Sequence, residues 1–136
     1  MTDAAGIGEN VRTLLTEYVG TYDELEALLL LHRSRDRAWT PAEICEQLNL
    51  SPSLVDEALA ELVSHGLLTR GESAAGAVFS YAPSRETLGQ AVDQLALAYE
   101  DRRIEVIRLM SRNAINRVRT QAIRAFADAF IVKKKK

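Results

Sequence analysis

The segment TPAEICEQLNLSPSLVDEALAELVSHG, residues 40–66, decides the fold of this chain. Thr40 is a preferred helix cap, and the proline after it suits the first helical position, where a missing N–H leaves no bond unmade. Asn49 readily adopts the left-handed conformation that ends a helix. A second helix follows at once, with Ser51 as its cap and Gly66 as its left-handed end. Two helices joined by so short a turn predict a helix-turn-helix.

The residues around this motif predict a small core and a wing. In the second motif helix, apolar residues at three- and four-residue spacing mark a buried face. They are Val55, Ala58, Leu59 and Leu62. Next comes LLTRGESAAGAVFSYAPS, with apolar segments at 67–70 and 77–81 and a turn predicted over 71–76. These segments predict a two-stranded wing, to which Trp39 is expected to add a short third strand.

Residues from about Tyr22 to Ser84 resemble the winged helix-turn-helix domain of small bacterial transcription regulators, of the broad class that includes the MarR and PadR types. The matching stretches are TPAEICEQLNLS, SLVDEALAELVSHGLL and the glycine-bounded wing. The fold class implied is mainly α with a small β-wing, followed by a long C-terminal helical extension. Winged helices also serve as protein-docking modules, so the resemblance specifies a fold more closely than a function.

Composition and charge divide the chain into an acidic body and a basic tail. Residues 1–101 hold 17 acids and 6 bases, a net charge of −11, whereas residues 102–136 hold 2 acids and 11 bases, a net charge of +9. The predicted organisation is an N-terminal helical segment over 1–20, the winged domain over 21–84 and a basic helical segment over 85–136. Apolar runs are shorter than a membrane span and no signal pattern opens the chain, so a cytoplasmic location is expected.

The C-terminal segment predicts a homodimer. One straight helix over residues 86–132 would extend about 70 Å, far beyond the width of a small domain. It must either leave the body to pair with another chain or fold back near residues 111–113. The resemblance implies dimerisation through this segment, and packing on its own domain is the alternative. The expected dimer residues are Val106, Met110, Ile115, Val118, Ala122, Phe126 and Phe130, and the basic tail comprises Arg112, Arg117, Arg119, Arg124, Lys133, Lys134, Lys135 and Lys136.

Catalysis finds little support in the sequence. His32 and His65 have no Cys, Asp or Glu at metal-ligand spacing, and the single cysteine, Cys45, suits a small core position. No phosphate-binding glycine loop or nucleophile elbow is present. The sequence therefore predicts a protein that is not an enzyme and has no cofactor and no metal.

DNA binding, which the resemblance implies, conflicts with the charge of the motif. Residues 40–66 contain five carboxylates and no lysine or arginine, and carboxylates near phosphates oppose binding. Phosphate contacts would then come from helix N-termini and flanking arginines, although these arginines equally suit a solvated loop or pairing with nearby acids. The candidate nucleic-acid-binding residues are Arg33, Arg35, Arg37, Thr40, Ser51, Ser53 and Arg70.

Two other functions remain open on the sequence alone. A protein-interaction module would use the acidic motif helix and the basic tail to dock a protein partner or a sister chain, without sequence-specific DNA binding. Contact of AFADAFIVKKKK, residues 125–136, with anionic lipid is a third possibility.

Overall fold

The described residues form six helices and one two-stranded antiparallel sheet. A computed structural model of the chain describes the backbone of residues 8–134 and the side chains of residues 8–127. Three helices precede the turn of the motif, and one helix, two strands and two further helices follow it. The elements are α1 (Glu9–Glu17), α2 (Tyr22–Arg33), α3 (Pro41–Leu48), α4 (Pro52–Ser64), β1 (Leu68–Ser73), β2 (Gly76–Tyr81), α5 (Glu86–Asp101) and α6 (Arg103–Lys134).

The helix-turn-helix forms as its local sequence predicts. Thr40 and Glu43 make a capping box at the start of α3, each side chain accepting a hydrogen bond from the other residue's backbone N–H. Asn49 ends α3 in the left-handed conformation at φ 56°, and the Ser51 side chain caps α4. These contacts satisfy N–H groups that a helix leaves unbonded at its start.

The wing is longer and its turn tighter than the sequence suggests. The residues expected in the turn extend the strands instead, so that Gly71 pairs with Val78 and Ser73 with Gly76. Gly76 takes the left-handed position at φ 105°, and only Ala74 and Ala75 are left in the turn. The predicted turn over 71–76 is therefore wrong, because a glycine can also adopt an extended conformation and pair in a sheet.

Trp39 provides the expected third strand as an isolated bridge. Its backbone N–H and C=O exchange two 2.7 Å hydrogen bonds with Phe79 of β2. This bridge attaches the loop between α2 and α3 to the base of the wing. The Trp39 side chain is buried in the core that the helices share.

One hydrophobic core runs from α1 to the first turns of α6. The predicted inner face of α4 is confirmed, since all four of its apolar residues are buried. Helix α2 contributes a run of buried leucines, and α5 and α6 cover α1. Burial of each of these leucine side chains stabilises the fold by about 1.5–3 kcal/mol.

The C-terminal segment breaks at Arg102, not near residues 111–113. Arg102 leaves the helical conformation at φ −136° and ψ 46°, and α6 then continues to Lys134. An uninterrupted apolar stripe from Tyr99 to Val106 would need an apolar residue at 102 or 103, but both are arginines. The break separates α5 from the part of α6 that returns to the core at Val106.

Among the described residues, no helix has both the length and the hydropathy needed to cross a membrane.

Candidate nucleic-acid interface

Helix α4 presents a solvent-facing surface opposite its buried face. With about 100° between successive residues, the line farthest from the buried face carries Ser53, Glu57, Ala60 and Ser64, and all four are exposed. Asp56 lies on one flank of this line, and Leu54 and Glu61 lie on the other. The surface therefore has one carboxylate at its centre and one on each side.

The carboxylates of α4 have few cationic neighbours. Glu61 lies 3.8 Å from His65, whereas Asp56 and Glu57 have no ion-pair or hydrogen-bond partner for their side chains among the described residues. A groove of about 460 Å³ separates α4 from the start of α2, and Asp23 and Glu24 contribute to its other wall. Among the residues whose side chains the structure describes, no lysine or arginine lines this groove. The surface around α4 is consequently negative.

Arg37 is held in place beside the start of α3. Its Nη2 donates to Glu43 Oε1 at 2.8 Å, and its guanidinium lies 3.9 Å from the centroid of the Trp39 ring. The same Glu43 oxygen accepts the Thr40 N–H at 2.9 Å. That backbone hydrogen bond and, after it, the interaction with Arg37 lower the pKa of Glu43 below its ordinary value. Arg37 is therefore already neutralised by the residue that caps the helix.

The other three candidate arginines differ in whether a carboxylate lies close enough to pair with them. Arg35 faces α5, where its Nη1 lies 3.6 Å from Asp93 Oδ1, and Arg70 in the wing pairs with Glu72 at 3.0 Å. Arg33 is exposed and has no side-chain partner among the described residues. Of the four arginines proposed to contact phosphate, three thus have a carboxylate at close range. Arg35 and Arg37 thus each lie beside a carboxylate in the folded chain.

The helix N-termini are also partly occupied. Thr40 Oγ1 accepts the Glu43 N–H at 3.2 Å, and Ser51 Oγ accepts the Leu54 N–H at 3.4 Å. Ser53 Oγ lies 3.4 Å from Ser51 Oγ. Each cap uses one of the N–H groups that its helix leaves unbonded, so fewer of these groups remain for a phosphate.

Helix α6 places the expected dimer residues on two opposite faces. Val106 and Met110 are buried in the core of their own chain, so their prediction as dimer residues is corrected. The opposite face carries a line of exposed apolar residues at helical spacing. This outer line of α6 comprises Ile104, Ile107, Ile115, Val118, Ala122 and Phe126.

Ile104 and Ile107 were missed from the sequence, although their spacing to Ile115 carried the signal. The sequence alone does not distinguish them, because Val106 and Met110 lie close by and form a second stripe. The structure separates the two stripes, because only one of them can face the core. The side chains of Phe130, Lys133, Lys134, Lys135 and Lys136 lie outside the described residues.

The inner face of α6 becomes polar where the helix passes the end of α1. Asn113 Nδ2 donates to Thr16 Oγ1 at 3.3 Å, and Arg117 Nη2 donates to the Gly20 carbonyl at 2.8 Å. Arg117 thus connects α6 to the loop between α1 and α2. The remaining described arginines of the basic tail, Arg112, Arg119 and Arg124, are exposed.

Solved structures show the same fold. No family model matches the chain, and no curated protein sequence matches it. A complex of S. aureus MepR with DNA has a TM-score of 0.53 and 16% identity, covering 83% of this chain and 90% of that one.

Two further structures agree. A MepR mutant bound to an oligodeoxyribonucleotide gives a TM-score of 0.54 and 12% identity, with 89% and 88% of the two chains covered. A double mutant of Lactococcus lactis ZitR has a TM-score of 0.50 and 21% identity, covering 81% of this chain and 75% of that one. The chain has the winged helix-turn-helix fold that these structures share, as the motif, the wing and the long last helix predicted.

Proposed function

We propose that this protein is a DNA-binding transcription regulator that acts as a homodimer in the cytoplasm and has no enzymatic activity. The observation that carries the proposal is α4 itself, a capped helix of the motif whose outer line is exposed and which is followed by a two-stranded wing. This arrangement allows a helix to enter the major groove while the wing lies along the backbone. The MepR structures solved with DNA support the proposal, because they share this fold.

Charge limits how the protein would bind. Nonspecific affinity for DNA comes mainly from neutralised phosphates, and three of the four candidate arginines already face a carboxylate. To contact DNA, each of these three arginines must exchange its carboxylate partner for a phosphate. We therefore expect weak nonspecific binding with a shallow dependence on salt, and a large part of the affinity must come from contacts with bases.

The dimer is proposed to form through the outer line of α6. This line extends about 33 Å from Ile104 to Phe126, and its apolar side chains are exposed in the single chain, with Ser111 between Ile107 and Ile115. Exposed apolar residues on soluble proteins are usually scattered singly, whereas an extended apolar stripe of this kind marks an interaction site. A second copy supplies the same stripe and buries both. The basic tail continues along the same helix, so it would lie close to the sister chain.

Titration with DNA tests the proposed function. Random-sequence duplexes and sheared genomic DNA are titrated at about 50 mM and about 200 mM salt, with binding followed by fluorescence anisotropy. The proposal predicts binding at low salt and tighter binding to a subset of genomic fragments. Sedimentation of the free protein should give the mass of two chains. Absence of binding to every duplex at low salt would overturn the DNA proposal and favour a protein-docking role for the acidic surface.

A further inference from the structure

The outer line of α4 offers an unusual set of groups to a DNA groove. It carries one carboxylate, Glu57, between two hydroxyls, Ser53 and Ser64, with the Ala60 methyl beside it. It has no arginine, lysine, asparagine or glutamine. Among the described residues no side chain pairs with Glu57, so its two oxygens are available as acceptors.

The four bases present different donors and acceptors to such a carboxylate in the major groove. In the major groove guanine presents two acceptors, N7 and O6, which repel a carboxylate. Cytosine presents only the N4 amino group, a donor, whereas adenine places the acceptor N7 next to its amino group. A carboxylate at the centre of the reading helix therefore favours cytosine over adenine and disfavours guanine and thymine.

The two flanking carboxylates act in another way. A helix lying in the major groove directs its centre at the bases and its flanks at the two phosphate backbones. Asp56 lies on one flank and Glu61 on the other, and Glu61 borders the groove that also contains Asp23. Both flanks therefore weaken backbone contact for every sequence alike. This loss raises the share of affinity that depends on a matched base.

We propose that Glu57 is the specificity-determining residue of this protein and selects cytosine at one position of each half-site, while Asp56 and Glu61 suppress binding to unmatched DNA. This inference rests on the proposed function, since it concerns the same surface. The expected operator is a two-fold symmetric sequence with cytosine at corresponding positions of its two halves.

Selection from a random duplex library tests this assignment. The full-length wild-type protein is compared with Glu57→Gln, and Asp56→Asn and Glu61→Gln are matched controls that remove the same charge from the flanks. Wild type should enrich cytosine, and exchange of that cytosine for guanine should weaken binding about 10-fold. Glu57→Gln should change the preference at that position to adenine, because an amide pairs with the N6 and N7 edge. The flank variants should keep the cytosine preference and bind all sequences more tightly.

Three results would overturn the inference. One is that Glu57→Gln raises affinity equally for all duplexes without changing the selected base, which would leave the DNA proposal intact. Another is that wild type enriches guanine at the position that Glu57→Gln alters. The third is that wild type binds no duplex at low salt, which would overturn this inference together with the proposed function. Because all three residues are exposed, the variants should retain the circular dichroism spectrum of the wild type.

Discussion

His32 and Asp93 meet at 2.8 Å across 61 residues of sequence and join the last turn of α2 to the middle of α5. His32 Nε2 also lies 3.2 Å from Arg35 Nη1. A carboxylate only accepts hydrogen bonds and a guanidinium only donates them, so Nε2 can serve one of the two at a time. The shorter contact favours an Nε2–H that donates to Asp93. The imidazole also packs edge-on against Tyr81, at 5.1 Å between centroids, so this cluster connects α2, α5 and the wing.

Alkaline pH should destabilise the fold through Tyr81. Burial, followed by the charge of Asp93, raises the pKa of Tyr81 from 10.0 to about 12. The stabilisation from this raised pKa is fully present below pH 10 and is lost as the pH rises from 10 towards 12. In urea denaturation, Tyr81→Phe should therefore lose less free energy of unfolding than wild type over this interval. Tyr18→Phe, which removes a hydroxyl that accepts a hydrogen bond from the exposed Arg85, is the control. Equal losses in wild type and Tyr81→Phe would contradict the prediction.

A side chain at position 66 should destabilise the fold. The φ of Gly66 is 78°, and an added Cβ would meet the Ser84 side chain. Gly66→Ala should lower the free energy of unfolding by about 1–2 kcal/mol, since a left-handed conformation is costly for other residues. Gly71→Ala is the matched control, because there the new Cβ would be an ordinary 3.7 Å from Val78. Denaturation of both variants measures their losses of free energy of unfolding. Equal losses would show that the left-handed backbone conformation at Gly66 is not the cause.

The arginines at the end of α2 and in the loop to α3 should contribute most of the salt-dependent affinity for DNA. Replacing Arg33, Arg35 and Arg37 together with Ala should weaken binding and reduce the slope of log affinity against log salt by up to one for each lost contact. Glu43→Gln should have the opposite effect, because it releases Arg37 and keeps an oxygen for the Thr40 N–H. Anisotropy titrations at several salt concentrations measure both effects. An unchanged slope in the triple variant would exclude these arginines as phosphate contacts.

Charge on the outer line of α6 should dissociate the dimer. Val118→Glu alone, or with Phe126→Glu, would place a carboxylate in the proposed interface and should yield monomers or an unstable chain. Ile123→Glu is the control, because Ile123 is equally exposed and lies about a quarter of a turn from the line. Sedimentation velocity distinguishes the species. A dimeric Val118→Glu protein, or a monomeric wild type, would refute the proposed interface.

The basic tail should contact an acidic surface of the sister chain. Among the described residues no arginine of α6 forms an ion pair within its own chain. Many weak pairs, each worth about 0–1 kcal/mol, would be screened by salt, so added salt or a polyanion should increase hydrogen exchange over residues 112–136.

Deletion of residues 133–136 with Arg119→Gln should mimic that increase. Arg117→Gln is kept separate from this variant, because it also removes the bond to Gly20. If exchange and dimerisation both stay unchanged in the deletion variant, the charge division is only a solvated surface.

Local sequence determined the motif. The caps at Thr40 and Ser51, the left-handed Asn49 and Gly66 and the buried face of α4 depend on residues within a few positions of each other, and all were predicted. Composition likewise predicted the negative surface of α4. Physical rules for short segments suffice for such features because each partner lies within one or two helical turns.

Only the tertiary structure decided which of two apolar stripes of α6 faces the core, where the C-terminal segment breaks, and that Arg35 lies beside Asp93. Each depends on groups far apart in sequence or on competition between faces of similar hydrophobicity. Val106 and Ile107 are adjacent and both apolar, yet one is buried and the other is exposed. The difference arises from the positions of α1 and α5, which both pack against α6 and which the spacing of residues within α6 does not contain.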